Sequence, residues 1–210
     1  MKNISHYFQF ANFVTTLNLI VGLTSIFLAL QHQLNIAIIL WLLTPIGDSL
    51  DGMIARMTPR DNSQQIFGFQ LDSLSDLTNF AIVPGILLFM SGINEWYEIC
   101  LLIFLACAVL WRLAYFAACN AQHSDSTIYY GLPSTYIPLL LAPVFATAYF
   151  NPLFYKYTAY IVLFLIMILM LSKIKVTNPS LKINILLLVY LFLMMALFYF
   201  VPITYIEPNL

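Results

Sequence analysis

Residues 34–56 read LNIAIILWLLTPIGDSLDGMIAR. Fourteen residues without a charge are followed, in the same apolar run, by Asp48, Asp51 and Arg56. About 20 mostly apolar residues are what a helix needs to cross the hydrocarbon of a bilayer. The stretch therefore predicts a membrane-spanning helix with two carboxylates near one end. The rest of the chain agrees. Of 210 residues, 62% are hydrophobic and 8% are charged, and the mean hydropathy is +0.90. A soluble domain carries roughly 25% charged residues, so this chain has too few to cover a water-facing surface. A net charge of −1 and the lack of any basic run exclude a nucleic-acid binder. Hydrophobicity on this scale excludes disorder.

Along the whole chain, apolar stretches of membrane length fall at about 13–31, 34–56, 71–91, 96–119, 132–149, 153–172 and 183–201. Continuous runs of this kind are not the alternating pattern of barrel strands. The expectation is an all-α integral membrane protein, a bundle of six to seven transmembrane helices forming one membrane-embedded catalytic domain over 1–210. The first run continues without a cleavage site, as a retained span rather than a signal peptide does. Pro133, Pro138, Pro143 and Pro152 crowd the fifth stretch and predict kinks there. With the N-terminus in the cytoplasm, Lys2, Arg56, Arg60, Arg112, Lys173, Lys175 and Lys182 fall inside and Lys156 alone outside, the bias expected of cytoplasmic loops. Glu95, Glu98 and Glu207 then lie toward the outer face. Cys100, Cys107 and Cys119 have spacings of neither a metal site nor a disulfide framework and read as small core hydrophobes. His6, His32 and His123 read as loop residues.

The acids are informative. A carboxylate at the centre of a membrane helix costs roughly 2.5–3.5 kcal/mol on insertion scales. Asp48, Asp51, Asp72 and Asp76 lie inside or at the mouth of the second and third spans, and no ordinary packing role explains them. Asp48 and Asp51 are i and i+3, Asp72 and Asp76 i and i+4, so each pair shares one helix face. Four carboxylates converging at one end of a neighbouring helix pair repel unless protons are retained or cations bound. Oxygen-only ligands suit Mg²⁺, Mn²⁺ or Ca²⁺, and paired divalent ions serve phosphoryl displacement. Gly52, Ala55 and Gly68 keep the same surface small enough for a flat ligand, and Arg56 offers a fork of donors to phosphate oxygens. The pattern describes a nucleotide-diphosphate site at a membrane interface.

These residues also spell a known signature. Asp48-Ser-Leu-Asp51-Gly52-Met-Ile-Ala55-Arg56, then Gly68-Phe-Gln-Leu-Asp72-Ser-Leu-Ser-Asp76, resembles the D-x-x-D-G-x-x-A-R … G-x-x-x-D-x-x-x-D pattern of the CDP-alcohol phosphatidyltransferases. All eight fixed positions match. Eleven residues separate Arg56 from Gly68, where the family usually has about eight, which predicts a longer turn around 58–65. Further stretches resemble one branch of that family, the CDP-diacylglycerol-dependent serine transferases: Asn12-Phe-Val-Thr15-Thr-Leu-Asn18, Leu71–Pro84, Arg112-Leu-Ala-Tyr115-Phe116, and Tyr130-Gly131-Leu132-Pro133. Ala11 stands where the branch has Pro, Tyr115 where it has a second Arg, and Ala117 where it has Asn.

The resemblance implies the CDP-alcohol phosphotransferase fold and an enzyme that moves the phosphatidyl group of CDP-diacylglycerol to a small polar hydroxyl acceptor. Serine is favoured, with CMP released and phosphatidylserine formed. It implies two divalent cations, Mg²⁺ or Mn²⁺, held by Asp48, Asp51, Asp72 and Asp76, with Asp76 completing a metal shell or acting as general base. Gly52, Ala55 and Gly68 would line the cytidine pocket and Arg56 would contact phosphate. Arg112 fits either an acceptor contact, to a serine carboxylate or a phosphate, or an interfacial anchor; Asn18 fits either a nucleotide or metal contact or helix–helix glue. The three lysines near 173–182 are topology charges, with a secondary pull on anionic lipid. The family is commonly dimeric, and small residues in the spans permit a homodimer. A bacterial inner membrane, with the N-terminus and active site cytoplasmic, is the expected location. A phosphorylated acceptor, glycerol 3-phosphate or an inositol phosphate, would call for an extra basic pocket that few spare cations can build. An ion-coupled transporter would show paired repeats and midplane acids, and neither is in the sequence.

Overall fold

The computed structural model describes residues 3–122, 128–177 and 181–201. The chain runs through α1 (Phe10–Leu30), α2 (Leu34–Met57), α3 (Asn62–Leu77), a π-helical segment (Thr78–Ile82), α4 (Val83–Met90), α5 (Trp96–Gln122), α6 (Ile137–Thr147), α7 (Pro152–Leu171) and α8 (Leu181–Phe200). Two three-residue strands, β1 (Ile128–Tyr130) and β2 (Lys175–Thr177), pair antiparallel. Six helices are long and apolar enough to cross a membrane, with α3 through α4 counting as one span over Asn62–Met90. The protein is an all-α integral membrane bundle. The final span is present in full. It is the fifth stretch that is shorter than expected, an apolar helix over Ser134–Thr147 instead of 132–149.

α1 shows why the bundle packs. Its buried positions are Ala11, Asn12, Thr15, Asn18, Gly22, Ser25 and Ala29, a stripe of small and polar residues at helical spacing. Its exposed positions include Phe10, Phe13, Ile20 and Phe27. In lipid, apolar side chains gain nothing by turning inward, so small residues that permit close approach and polar groups that bond across helices take the interface. Ser25 Oγ donates to the Ala37 carbonyl at 2.7 Å, Asn18 Nδ2 to the Thr44 carbonyl at 3.0 Å, and the Asn79 amide lies where a Cβ on Gly22 would be. α1 thus packs against α2, α3 and α4, and it is α1 that ties α2 to α3.

Prolines shape the rest. Pro133 caps the 3₁₀ turn Ser134–Tyr136, and Pro138 and Pro152 occupy the first turns of α6 and α7. There the absent N–H has no intrahelical partner to lose, so of the four only Pro143 lies inside a helix. Pro45, inside α2, deprives the Trp41 carbonyl of its donor, and Thr44 Oγ1 supplies one at 2.7 Å. Pro84 follows the π segment, in which Val83 N–H reaches back to the Thr78 carbonyl. In that register the next N–H would be that of residue 84, which proline lacks, and the Asn79 carbonyl instead accepts from the Trp41 indole at 2.8 Å. Trp41, Phe80, Leu87, Phe145 and Tyr155 fill the core between these helices.

Three expectations are corrected. Only 58–61 is non-helical between α2 and α3. Asp61 Oδ1 accepts from Gln64 N at 2.9 Å and Gln64 Oε1 from Asp61 N at 3.0 Å, a capping box that starts α3 early, so the extra residues lengthen the helix rather than the turn. Cys100 and Cys107 are exposed on the outer side of α5 and are not core residues, since a thiol costs little against lipid. His6 is no simple loop residue: it closes a 3₁₀ turn (Ile4–Tyr7) and bonds Asp61 at 2.8 Å. His123 and Glu207 lie outside the described residues.

The end of the bundle remote from the aspartates has its own polar cluster. Glu98, fully buried, accepts from Tyr160 Oη and from Glu95 N (2.7 Å), and pairs with Lys156 at 3.1 Å. These contacts tie α5 to α7.

Candidate active site

Asp48 sits on α2, Asp72 and Asp76 on α3, and one carboxylate oxygen from each lies within 4.8 Å of the others. Asp76 is 9% exposed. Asp51, one turn from Asp48, does not join this triplet; it is 4% exposed, and its Oδ2 has no hydrogen-bond partner. The four aspartates thus divide as three and one. Mutually close carboxylates that are half-buried or buried, and an orphaned buried acceptor, are expensive in a membrane protein unless cations compensate them. The donor set, all oxygen, fits hard divalent ions.

Two clefts meet at these residues. The first, about 600 Å³, is lined by Asp48, Asp72, Asp76, Arg112 and Ser134, with an apolar wall from Leu139 and from Leu187, Leu188 and Leu191 of α8. The second, about 670 Å³, is lined by Asn12, Thr15, Asp51, Gly52, Ala55 and Gly68. Asp72 and Arg56 line both. One side is a polar floor beneath an oily wall, suited to an amphiphile; the other is more polar and lined in part by small residues.

Ser134 was not legible as a site residue. It is 1% exposed, and its Oγ donates to Asp76 Oδ2 at 3.0 Å while Arg112 Nη1 approaches it at 3.5 Å. Arg112 is buried, stacks over Phe116 with Cζ 5.3 Å from the ring centroid, and leaves Nε without a partner. The segment before Ser134 is fixed from outside. Gly131 has φ +79°, a left-handed conformation open to glycine, and its N–H donates to the Ile174 carbonyl at 2.9 Å. Leu132 N–H donates to the Leu169 carbonyl at 3.0 Å, and the β1–β2 pairing holds the same two loops together. The sequence signal stopped one residue short, since the Gly131-Leu132-Pro133 match ends directly before Ser134.

The other predicted residues fall as follows. Gly52, Ala55, Arg56 and Gly68 line the second cleft. Asn18 lines neither; it donates to the Thr44 carbonyl between α1 and α2, the geometry of helix–helix glue. Of the positions that depart from the branch pattern, Ala117 lines the second cleft, while Tyr115 is exposed and lines neither.

A family model described as CDP-alcohol phosphatidyltransferase matches residues 8–205. The archaetidylserine synthase of Methanothermobacter thermautotrophicus is 30% identical over 176 residues, 83% of this chain and 72% of that protein. The CDP-diacylglycerol–serine O-phosphatidyltransferase of Mycobacterium tuberculosis is 36% identical over 116 residues, 54% of this chain and 38% of its own length. That of Saccharomyces cerevisiae is 32% identical over 162 residues, 71% of this chain and 55% of its own. The chain therefore spans well under two thirds of the mycobacterial and yeast enzymes. The match along nearly the whole bundle, on top of an aspartate cluster where two clefts join, establishes that this chain belongs to the CDP-alcohol phosphatidyltransferase family.

Proposed function

We propose that the protein transfers the phosphatidyl group of CDP-diacylglycerol to the hydroxyl of serine, forming phosphatidylserine and releasing CMP. The observation that carries this reading is the junction of the two clefts at Asp72 and Arg56. A nucleotide-linked lipid has one apolar and one nucleotide half joined by a pyrophosphate, and the site has the same layout. The pyrophosphate would lie at the junction, the cytidine against Gly52, Ala55 and Gly68, and the acyl chains along the α8 leucines. Relatives from an archaeon, a bacterium and a yeast are named for serine products or acceptors.

Asp48, Asp51, Asp72 and Asp76 would hold two divalent cations, Mg²⁺ or Mn²⁺. Such ions, when bound, supply positive charge that stabilises phosphorus and the departing phosphate. Arg56 adds a fork of donors at the junction. The acceptor would enter the first cleft, its carboxylate against the buried Arg112. Its hydroxyl oxygen bonds to the lipid phosphorus, the bond from that phosphorus to CMP breaks, and the hydroxyl proton passes to Asp76. Ser134 donates to Oδ2 of Asp76 and so orients that carboxylate. Within the cleft the cations are Arg56 and Arg112 alone among the described residues, which suits a small zwitterion better than a phosphorylated acceptor.

The same reading places the chain in a bacterial inner membrane with the aspartates on the cytoplasmic side. α6, though short, runs between the two ends of the bundle, from Gly131 beside the end of α7 to Asn151 at its start, so Arg56, Arg60, Arg112, Lys173, Lys175 and Lys182 share one side and Lys156 the other. An acceptor screen with labelled CDP-diacylglycerol tests the assignment. Serine is expected to yield labelled lipid; labelled product with glycerol 3-phosphate or an inositol phosphate and none with serine would contradict it.

A further inference from the structure

The second cleft holds two polar groups that the motif does not assign, and both converge on Gly68. A Cβ placed on Gly68 would lie 2.8 Å from Arg60 Nη1 and 3.0 Å from Asn12 Oδ1. One is a pure donor and the other a pure acceptor. Neither is loose. Arg60 Nη2 donates to the Ala55 carbonyl at 2.9 Å. Asn12 is 7% exposed, and its Nδ2 donates to the Tyr7 carbonyl at 2.9 Å, which orients Oδ1 toward Gly68. Tyr7 is in turn pinned to α3. Its ring stacks on Phe67 at 4.7 Å, and Gln64 Nε2 donates to the neighbouring His6 carbonyl at 2.9 Å. The N-terminal 3₁₀ turn thus acts as a strap that sets the Asn12 amide.

Depth along the helices separates the two arginines of this cleft. Arg56 folds back, with Nη1 3.5 Å from where a Cβ on Gly52 would be, at the level of Asp51. Gly68 precedes Asp72 by four residues, about 6 Å at 1.5 Å per residue. With the pyrophosphate at the carboxylates, the Arg60–Asn12 pair lies one turn farther out, at the level of the base.

We propose that Arg60 and Asn12 read the pyrimidine edge of the nucleotide and select cytosine over uracil. The proposal rests on the nucleotide-lipid reading given above. Cytosine presents an amino donor at N4 beside acceptors at N3 and O2; uracil reverses the first two, with an acceptor at O4 and a donor at N3. The Asn12 oxygen matches the N4 amino group. The remaining guanidinium N–H groups of Arg60 match N3 and O2 as a fork that lysine cannot reproduce. Against uracil the same groups set donor against donor and acceptor against acceptor. Arg60 lies in the stretch between Arg56 and Gly68, outside the eight fixed positions of the signature, and Asn12 comes from the first-span stretch.

Calorimetric titration of the full-length protein in detergent with Mg²⁺, using CDP and UDP as probes, tests the pair. Wild type is expected to bind CDP at least tenfold more tightly than UDP. Arg60→Ala should lose about tenfold or more for CDP with UDP nearly unchanged, so that the ratio collapses. Arg60→Lys should keep the collapsed ratio, because it restores charge without the fork. The partly exposed Arg60 is a site where both variants are expected to fold, checked by a monodisperse elution profile, and Asn12→Ala reports on the other half of the pair. Equal weakening of CDP and UDP in Arg60→Ala, unchanged affinities, or a ratio restored by lysine would overturn the assignment. A wild-type protein that binds neither nucleotide would instead overturn the nucleotide-lipid reading beneath it.

Discussion

Ser134 Oγ lies 3.0 Å from Asp76 Oδ2 although the two residues are 58 positions apart. The bond ties the start of the 3₁₀ turn after Pro133 to the carboxylate that completes the triplet on α2 and α3. A serine hydroxyl bonded to a carboxylate is worth about 1.5–3 kcal/mol when buried. Ser134→Ala is therefore expected to lower kcat for CMP release by roughly ten- to a hundredfold, at 1.36 kcal/mol per decade, with KM for the nucleotide-lipid nearly unchanged. Ser134→Thr, which keeps the hydroxyl, should recover most of the rate. Steady-state kinetics on the three proteins would show it; a change in KM alone would place Ser134 in binding.

Gly131 is held with φ +79° and has the Met170 carbonyl where a Cβ would go. A non-glycine residue in the left-handed region costs about 1–2 kcal/mol, before the clash is relieved. Gly131→Ala should lower the unfolding temperature in detergent by several degrees and reduce activity, because the loop that places Ser134 must shift. An unchanged Tm would show that the loop is not fixed as described.

Trp41 and Pro84 make a linked pair. Trp41→Phe leaves the Asn79 carbonyl, buried and otherwise without its helical donor, unsatisfied, at a cost of about 1–3 kcal/mol. Pro84→Ala restores a backbone N–H in the register that reaches that carbonyl. A double-mutant cycle on unfolding free energy is expected to show Trp41→Phe costing less in the Pro84→Ala background than in wild type. Additive effects would contradict the account of the π segment.

Glu98 separates stability from catalysis. It is buried with Tyr160 and Lys156 at the end of the bundle away from the aspartates. Glu98→Gln should reduce unfolding free energy by about 1.5–3 kcal/mol, the range for hydrogen bonds to a charged group. Below its own melting point the variant should keep wild-type KM for the nucleotide-lipid. A selective rise in that KM would mean that this cluster reaches the active site.

Much of the architecture was legible because membrane solvation imposes it. An apolar run of about 20 residues has few other uses, and carboxylates in such runs are costly enough that Asp48, Asp51, Asp72 and Asp76 stood out. Helical spacing placed each pair on one face, and the structure brings three of the four together. What spacing along a helix cannot show is how far two helices stand apart. With α1 between α2 and α3, Asp51 turns to the second cleft while Asp48 faces the first. Ser134 and Arg60 were illegible for a related reason: each reaches its cleft through contacts that spacing does not reveal, the α7 terminus behind the loop before Ser134 and the Ala55 carbonyl for Arg60. Proline misled in the fifth stretch, where three of four residues start helices or turns instead of bending them. The cysteines misled because burial rules learned in water do not govern a surface that faces lipid.

In the proposed reaction the aspartate cluster, with bound divalent cations, holds the pyrophosphate of CDP-diacylglycerol for attack by serine. Serine-dependent CMP release by detergent-purified wild type, Asp72→Asn and Asp76→Asn tests it most directly, each with and without EDTA. Wild type is expected to release CMP in Mg²⁺ or Mn²⁺ and to lose that release in EDTA, and both variants to fall by a thousandfold or more, about 4 kcal/mol, while they elute as folded protein. Full release by a folded variant, or by wild type stripped of metal, would contradict it.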